Sequence, residues 1–338
     1  MHLPRLIAVE VTRRCNLHCI HCRALAGAEA PEDELTSDEI TAFFDRIAER
    51  LRPIIILTGG EPLLREDIFE IARHGTELGF HMTMAPNGTL MDETVARRMI
   101  EVGIRRVGIS LDAATPEVHD AFRDMPGAFA GAMKGIDAAR AAGLPFQIHT
   151  SVTAFNVDEL EKVHELAKEL GAVAHHIFML VRVGRGRELD AEVPPERQEK
   201  VLNWLYERHR EGLIGVRATC APHYYRILTK RGGEEGAETF TRGCLAGRGY
   251  VFLSSTGSIQ PCGYLDIDCG SIRENDFWEI WDTSPVLQNL RDDEKLRGKC
   301  GTCDYRKYCG GCRARAYAAT GDYLAEEPAC LYQPRGST

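Results

Sequence analysis

The chain has 338 residues, 44% hydrophobic and 27% charged, with a formal net charge of −9. That balance is globular rather than fibrous or disordered, and the acidic surplus argues against a nucleic-acid partner. No apolar run approaches a membrane span and no signal segment precedes the first strand pattern, so the expectation is a cytoplasmic protein without a membrane partner. Twelve cysteines in such a chain point to metal rather than to disulfides.

Short apolar runs bounded by turn residues predict strands at Leu6–Val11, Ile54–Leu57, Phe80–Ala85, Arg106–Leu111, Phe146–Val152 and His175–Val181. Amphipathic helices lie between them. The first runs from about Asp38 to Leu51, with Ile40, Phe43, Phe44 and Ile47 on one face and a capping box of Thr36 and Glu39. Asn156 is expected to cap the helix that carries Leu160, Val163 and Ala167. Gly79, Gly103, Gly143 and Gly171 fall where left-handed helix ends are wanted. A long helix is expected from Pro194 to Gly212, then a Gly- and Glu-rich linker over 232–243, then a hairpin from Phe252 to Pro261. Near-continuous apolar strands alternating with helices imply an α/β fold with a parallel sheet covered by helices. Periodicity does not separate an open doubly wound sheet from a barrel. The expected division is 1–190 for the strand–helix units, 191–240 for a helical bridge and linker, and 241–338 for a cysteine-rich module.

Directly after the first strand comes Cys15-x3-Cys19-x2-Cys22. Three thiolates this close converge on one metal centre. A structural zinc site closes with four protein ligands, whereas a cubane iron–sulfur cluster can be held by three and keeps one iron open. The other strand ends also carry chemistry. Gly59 and Gly60 permit close backbone approach, Glu61 offers a carboxylate to an ammonium group, and Pro62 ends the strand. Asn87 follows the third strand. Ser110 and Asp112 share one face at the end of the fourth, and Arg123 can pair with a carboxylate. Arg182, Arg185 and Arg187, spaced by glycine, suit an anionic ligand.

The cysteine spacing, with His21 where the signature carries an aromatic residue, and the Gly59–Pro62 loop together resemble the radical S-adenosylmethionine (SAM) superfamily. The resemblance implies an open six-unit partial (β/α) barrel. It implies a 4Fe-4S cluster on Cys15, Cys19 and Cys22, the radical-generating catalytic centre, whose open iron binds SAM through its amino and carboxylate groups. Reduction, by a flavodoxin or ferredoxin-type donor, would cleave SAM to methionine and a hydrogen-abstracting 5′-deoxyadenosyl radical. Gly59, Gly60, Glu61 and Pro62 would meet the methionine ammonium. Asn87, Ser110 and Asp112 would surround the same molecule, with His21 and Arg123 in the same cofactor site, and the arginine loop would lie near the adenine.

The C-terminal part holds Cys244, Cys262, Cys300-x2-Cys303-x5-Cys309-x2-Cys312 and Cys330. A zinc ribbon needs four ligands, and seven are laid out. The layout is similar to the SPASM domain that follows many radical SAM domains. That resemblance implies one or two auxiliary 4Fe-4S clusters, the first on Cys244, Cys262 and Cys312 and the second on Cys300, Cys303, Cys309 and Cys330. The spacing departs from the family's C-x5-C-x3-C at Cys312. The first set lacks a fourth ligand, for which Cys220 and Cys269 are candidates, and an open iron is the alternative.

Three segments, 218–226, 309–317 and 320–324, are most similar to radical SAM enzymes of the alternative, siroheme-derived haem pathway. That similarity implies an iron-porphyrin substrate, with two propionates of iron-coproporphyrin III decarboxylated to vinyl groups to give haem b. Acetate removal from didecarboxysiroheme is the runner-up. Peptide maturation and a zinc-stabilised binding module are the remaining alternatives. For a porphyrin, Arg182, Arg185, Arg187, Arg217 and Arg226 are the expected carboxylate clamps. His175, His176 or His223 would ligate the iron, and Tyr224 and Tyr225 offer flat surfaces.

Overall fold

A computed structural model describes residues 2–238 and 242–334. Strands β1 (Leu6–Thr12), β2 (Ile54–Gly59), β3 (His81–Met84), β4 (Arg106–Ser110), β5 (Phe146–Val152) and β6 (Ala174–Met179) pair in parallel, in chain order. Helices α1 (Ser37–Ala48), α2 (Ile68–Glu77), α3 (Glu93–Glu101), α4 (Pro116–Arg123), α5 (Ala128–Ala142) and α6 (Leu160–Glu169) return the chain between them. β1 and β6 do not pair with each other, so the sheet stays open as a partial barrel.

Strand alternation sorts side chains onto two faces. Ile7, Val9, Val11, Ile55, Leu57, Val107, Ile109 and Ile148 pack in one core with Ile40, Phe43, Phe44 and Ile47 of α1. Burying each such side chain is worth about 1.5–3 kcal/mol, and a one-residue slip would turn every one of them to the other face. The alternate residues are smaller or more polar, and among them Ala8, Ile56, Thr58, Ser110, His149, Ser151 and Phe178 line a cavity of about 260 Å³. The capping box at α1 is present, with the Glu39 N–H donating to Thr36 Oγ1 and the Thr36 N–H to Glu39. Asn156 does not cap a helix. Its amide donates to the carbonyls of Asp112 and Ser151 and its oxygen accepts the Thr153 N–H, which ties the ends of β4 and β5 together.

The sheet is longer than six strands. After α7 (Pro195–Glu211), β7 (Gly215–Thr219) pairs parallel with β6, and α8 (Tyr224–Glu238) follows. The Gly- and Glu-rich stretch expected as a linker is therefore helical as far as Glu238, and residues 239–241 lie outside the described residues. β8 (Tyr250–Leu253) pairs parallel with β1 and antiparallel with β9 (Ile259–Gln260), closing the expected hairpin. Four short helices, α9 (Phe277–Thr283), α10 (Pro285–Arg291), α11 (Gly298–Gly301) and α12 (Arg313–Thr320), complete the cysteine-rich part. No helix among the described residues is long and apolar enough to cross a membrane.

Candidate functional site

Cys15, Cys19 and Cys22 line one end of the cavity, beyond β1. Their loop is fixed at both ends: the Cys15 N–H donates to the Gly27 carbonyl at 2.6 Å and the Ile20 N–H to the Phe122 carbonyl at 3.2 Å. Burial pushes the Cys15 thiol up to about 11. Burial also raises Cys19, against the opposing pull of Arg123, whose Nη1 donates to its sulfur at 3.5 Å. A bound cation would take the thiolates outright. His21 lies in the cavity wall with its ring 4.3 Å from that of Phe122 and its Nδ1 unpartnered.

The Gly59–Gly60 turn passes against the start of this loop. A Cβ on Gly59 would stand 2.2 Å from the Thr12 carbonyl oxygen, and one on Gly60 2.3 Å from that of Arg14, so only glycine fits at either position. Both glycines line the cavity. Glu61 does not. It is fully buried, and its two oxygens accept the N–H groups of Leu63 at 3.1 Å and Asn87 at 2.6 Å. Burial outweighs those bonds and lifts its carboxyl to about 7. Pro62 opens a short 3-10 turn beneath it. Asn87 then reaches Asn16 in the cysteine loop at 2.8 Å, so three strand-end loops are tied in series. Ser110 lines the cavity, whereas Asp112 is buried behind it, paired with Arg123 and accepting the Ser151 N–H at 2.8 Å.

The expected substrate residues separate. Arg185 is a tie within the protein: its Nε donates to the Cys19 carbonyl at 2.8 Å, its Nη1 to that of Ala26 at 2.9 Å, and its backbone N–H to that of Cys22 at 2.9 Å. Arg182 and Arg187 are exposed on the same turn. Arg226 is buried against Glu199. His175 points to the helix side of β6, between Thr150 at 2.8 Å and His164 at 3.2 Å. His176 is on the inner face, its ring stacked 5.3 Å from His149, and Arg217 is its register partner on β7. Tyr224 and Tyr225 pack into a second core with Leu205 and Ile227. His223 is fully buried, with neither ring nitrogen partnered. Of the expected substrate residues Arg185 lines the cavity, its Nη2 unpartnered, and residues outside that set supply more of the wall: His149, Phe178, Tyr250, Phe252 and Tyr264. His149 was open to detection as the inward neighbour of Ser151 on an alternating strand. Tyr250 and Phe252 were not, because nothing local says that β8 joins β1.

Eight of the remaining nine thiols form two sets. Cys220, Cys244, Cys262 and Cys312 lie within electrostatic reach of one another. Cys220 gives its thiol proton's hydrogen bond to Cys312, which raises its own pKa and lowers its partner's. Cys220 has φ +57°, a conformation a non-glycine residue holds only under constraint. Cys269 belongs to neither set and packs at the edge of the main core. Cys300, Cys303, Cys309 and Cys330 form the second set. Backbone N–H groups aim at its sulfurs, from Tyr305 to Cys303 at 3.4 Å and from Gly311 to Cys309 at 3.3 Å, the outer contacts that suit thiolate ligands. No three His, Cys, Asp or Glu side chains among the described residues stand as close as a single metal ion requires, and a cubane holds its thiolates further apart than one ion does.

An open β/α barrel that gathers three thiols at its mouth and leaves one coordination position to a small molecule is the build of radical SAM enzymes. Residues 9–170 match the radical SAM superfamily and residues 244–304 an iron–sulfur cluster-binding domain. The chain is 51% identical over 340 residues to the AdoMet-dependent heme synthase of Methanosarcina barkeri, covering 98% of this chain and 97% of that one. It is 30% identical to the Fe-coproporphyrin III synthase of the same organism, covering 96% of this chain and 87% of that one. The crystal structure of Streptococcus suis SuiB bound to S-adenosylmethionine shares the fold, with a TM-score of 0.78 at 15% identity over 98% of this chain and 78% of that one. The chain belongs to the radical SAM superfamily and, within it, to the SPASM-bearing family of the AdoMet-dependent haem synthases. SAM and 4Fe-4S clusters, auxiliary ones included, are its cofactors.

Proposed function

We propose that the protein oxidatively decarboxylates two propionate side chains of iron-coproporphyrin III to vinyl groups, giving haem b. The observation that carries this reading is the 51% identity over 98% of the chain to a protein named for haem synthesis. The protein named for making iron-coproporphyrin III, the molecule this reading consumes, is only 30% identical.

When bound, SAM and the clusters supply a hydrogen-abstracting radical and an outlet for one electron per decarboxylation. In this reading Cys15, Cys19 and Cys22 hold the SAM-binding cluster. Gly59 and Gly60 let the methionine end approach the backbone, and Asn87, Ser110 and Arg123 complete that wall. His149 is offered to the porphyrin iron. Its Nε2 accepts from the Gln147 amide at 2.7 Å, and iron would take that same lone pair in exchange for the bond; burial with Arg123 nearby lowers its pKa to about 4, so the imidazole is neutral. Phe178, Tyr250, Phe252 and Tyr264 give flat faces to the macrocycle. Arg182 and Arg187 are the exposed cations for its carboxylates. Each propionate would lose one β-hydrogen atom, CO2 and one electron, and the auxiliary thiol sets would hold the clusters that accept that electron. A reduced flavodoxin or ferredoxin is the proposed electron donor.

Anaerobic reconstitution with SAM, a reductant and iron-coproporphyrin III tests this. Haem b with two CO2 released per porphyrin supports it. Acetate release from didecarboxysiroheme, without conversion of iron-coproporphyrin III, transfers the reaction to the runner-up. A His149→Ala variant should keep its SAM-binding cluster and change the Soret band of bound porphyrin.

A further inference from the structure

One buried ion pair joins the two auxiliary thiol sets. Glu327 is 1% exposed and Arg315 2%. The Glu327 carboxylate accepts Arg315 Nη1 on both oxygens at 3.2 Å, the Cys312 N–H at 2.7 Å and the Ala329 N–H at 3.0 Å. The backbone N–H of Glu327 donates to the Cys300 sulfur at 3.3 Å. A single residue thus touches a cysteine of each set. Arg315 carries the contact onward: its Nη2 donates to the carbonyl of Cys220 at 2.8 Å and to that of Leu180, in the cavity wall, at 3.2 Å.

Structural need alone is a poor account of this pair. Withdrawing two charges from water costs several kcal/mol per ion, and well-packed apolar residues often serve a core as well or better. Charge is useful here for another reason. An iron–sulfur cluster gains a negative charge on reduction, and fixed charges and hydrogen bonds around its sulfurs set its potential. In a low-dielectric interior such effects are strong. One further buried cation stands at the second set, Arg313, whose Nη2 donates to the Cys300 sulfur at 3.8 Å, and it is left in place in every variant below. His223 is held neutral by burial, its pKa lowered to about 4. Arg226, beside Cys309 and Cys330, is already balanced by Glu199.

We propose that Glu327 and Arg315 are positioning residues that set the reduction potentials of both auxiliary clusters. Glu327 places one negative charge between the two sets and opposes electron uptake by each. Arg315, seated on Cys220 and Glu327, offsets that charge at the first set. The inference rests on the thiol sets and not on the porphyrin reading, and it is tested without substrate.

The experiment is an EPR-monitored redox titration of the anaerobically reconstituted full chain. Glu327→Gln should raise both auxiliary potentials and leave that of the SAM-binding cluster in place. Arg315→Met should lower the potential of the first set, Arg315→Lys should restore it, and the Arg315→Met/Glu327→Gln double variant should fall back toward wild type. Unchanged auxiliary potentials in fully loaded Glu327→Gln would overturn the proposal. So would loss of an auxiliary signal in both Glu327→Gln and Arg315→Lys, because the pair would then be structural only.

Discussion

Replacing Arg185 by alanine is expected to loosen the cysteine loop rather than to weaken substrate binding. The change deletes the bonds from Nε to the Cys19 carbonyl and from Nη1 to the Ala26 carbonyl, and spares the backbone bond to Cys22. Hydrogen bonds from a charged donor are worth about 1.5–3 kcal/mol each, and the half-buried setting places these at the low end, so the pair contributes about 3 kcal/mol. At about 1.4 kcal/mol per factor of ten, that is roughly a hundredfold rise in the population of the open loop. The assay is loss of visible iron–sulfur absorbance to an excess of chelator under anaerobic conditions. The variant should bleach faster by up to roughly that hundredfold factor, in the signal assigned by EPR to the SAM-binding cluster, with the auxiliary signals persisting. Arg185→Lys, which can keep one of the two bonds, should fall between. An unchanged bleaching rate together with a raised KM for the porphyrin would refute the reasoning and return Arg185 to its expected place as a carboxylate clamp.

Two further outcomes follow from the site. The Glu61 carboxyl, lifted by burial from 4.5 to about 7, binds its proton more tightly folded than unfolded. Its contribution to stability is therefore full below pH 4.5 and lost as pH rises through 7, a swing of about 3 kcal/mol at 1.36 kcal/mol per unit. Glu61→Gln should flatten the pH dependence of Tm over that window in calorimetry of the SAM-free protein, and an unaltered slope would contradict the assignment. Cys220→Ser should change or abolish the EPR signal of one auxiliary cluster and lower iron content, while Cys269→Ser should leave both as they are. The reverse pattern would place Cys269 in the first set.

How much of this was readable from the chain depended on how far apart the partners lie. The strands from Leu6 to Met179 were legible because each carries its own apolar run and turn, and a buried run has few alternatives. The loop from Cys15 to Cys22 was legible because its chemistry is contained in eight residues. What holds Glu61 was not legible in the chain. A carboxylate in a strand-end loop suggests a ligand, and here two N–H groups, one of them 26 residues away on Asn87, each occupy one acceptor site on its two oxygens. For Arg185 the sequence does not show that two of its nitrogens tie to acceptors on Cys19 and Ala26, about 160 residues earlier, while its Nη2 stays unpartnered in the cavity wall. For His175 and His176 the sequence offers two adjacent imidazoles, and strand alternation sends them to opposite faces. Only the register with β5 decides which one meets His149.

The expected boundary near residue 241 separates the sequence more sharply than it separates the packing. β8 lies beyond it, yet Val251 and Leu253 sit in the same core as Ile7 and Val9, and β8 pairs with β1 from Leu6↔Tyr250 to Val9↔Leu253. Without β8, β1 would be an edge strand with unpaired backbone groups, a state proteins avoid. The cavity would also lose Tyr250 and Phe252, which face it from the same strand. Arg23, one residue past Cys22, lies 4.6 Å over the Phe252 ring and reaches Glu10 at 3.3 Å, while Glu10 accepts the N–H and hydroxyl of Ser255. The radical-generating loop and the cysteine-rich part are therefore fastened to one another at β1. In the proposed reaction electron exit and hydrogen abstraction would share this wall, since Tyr264 lines the cavity and lies within electrostatic reach of Cys22, Cys220 and Cys262.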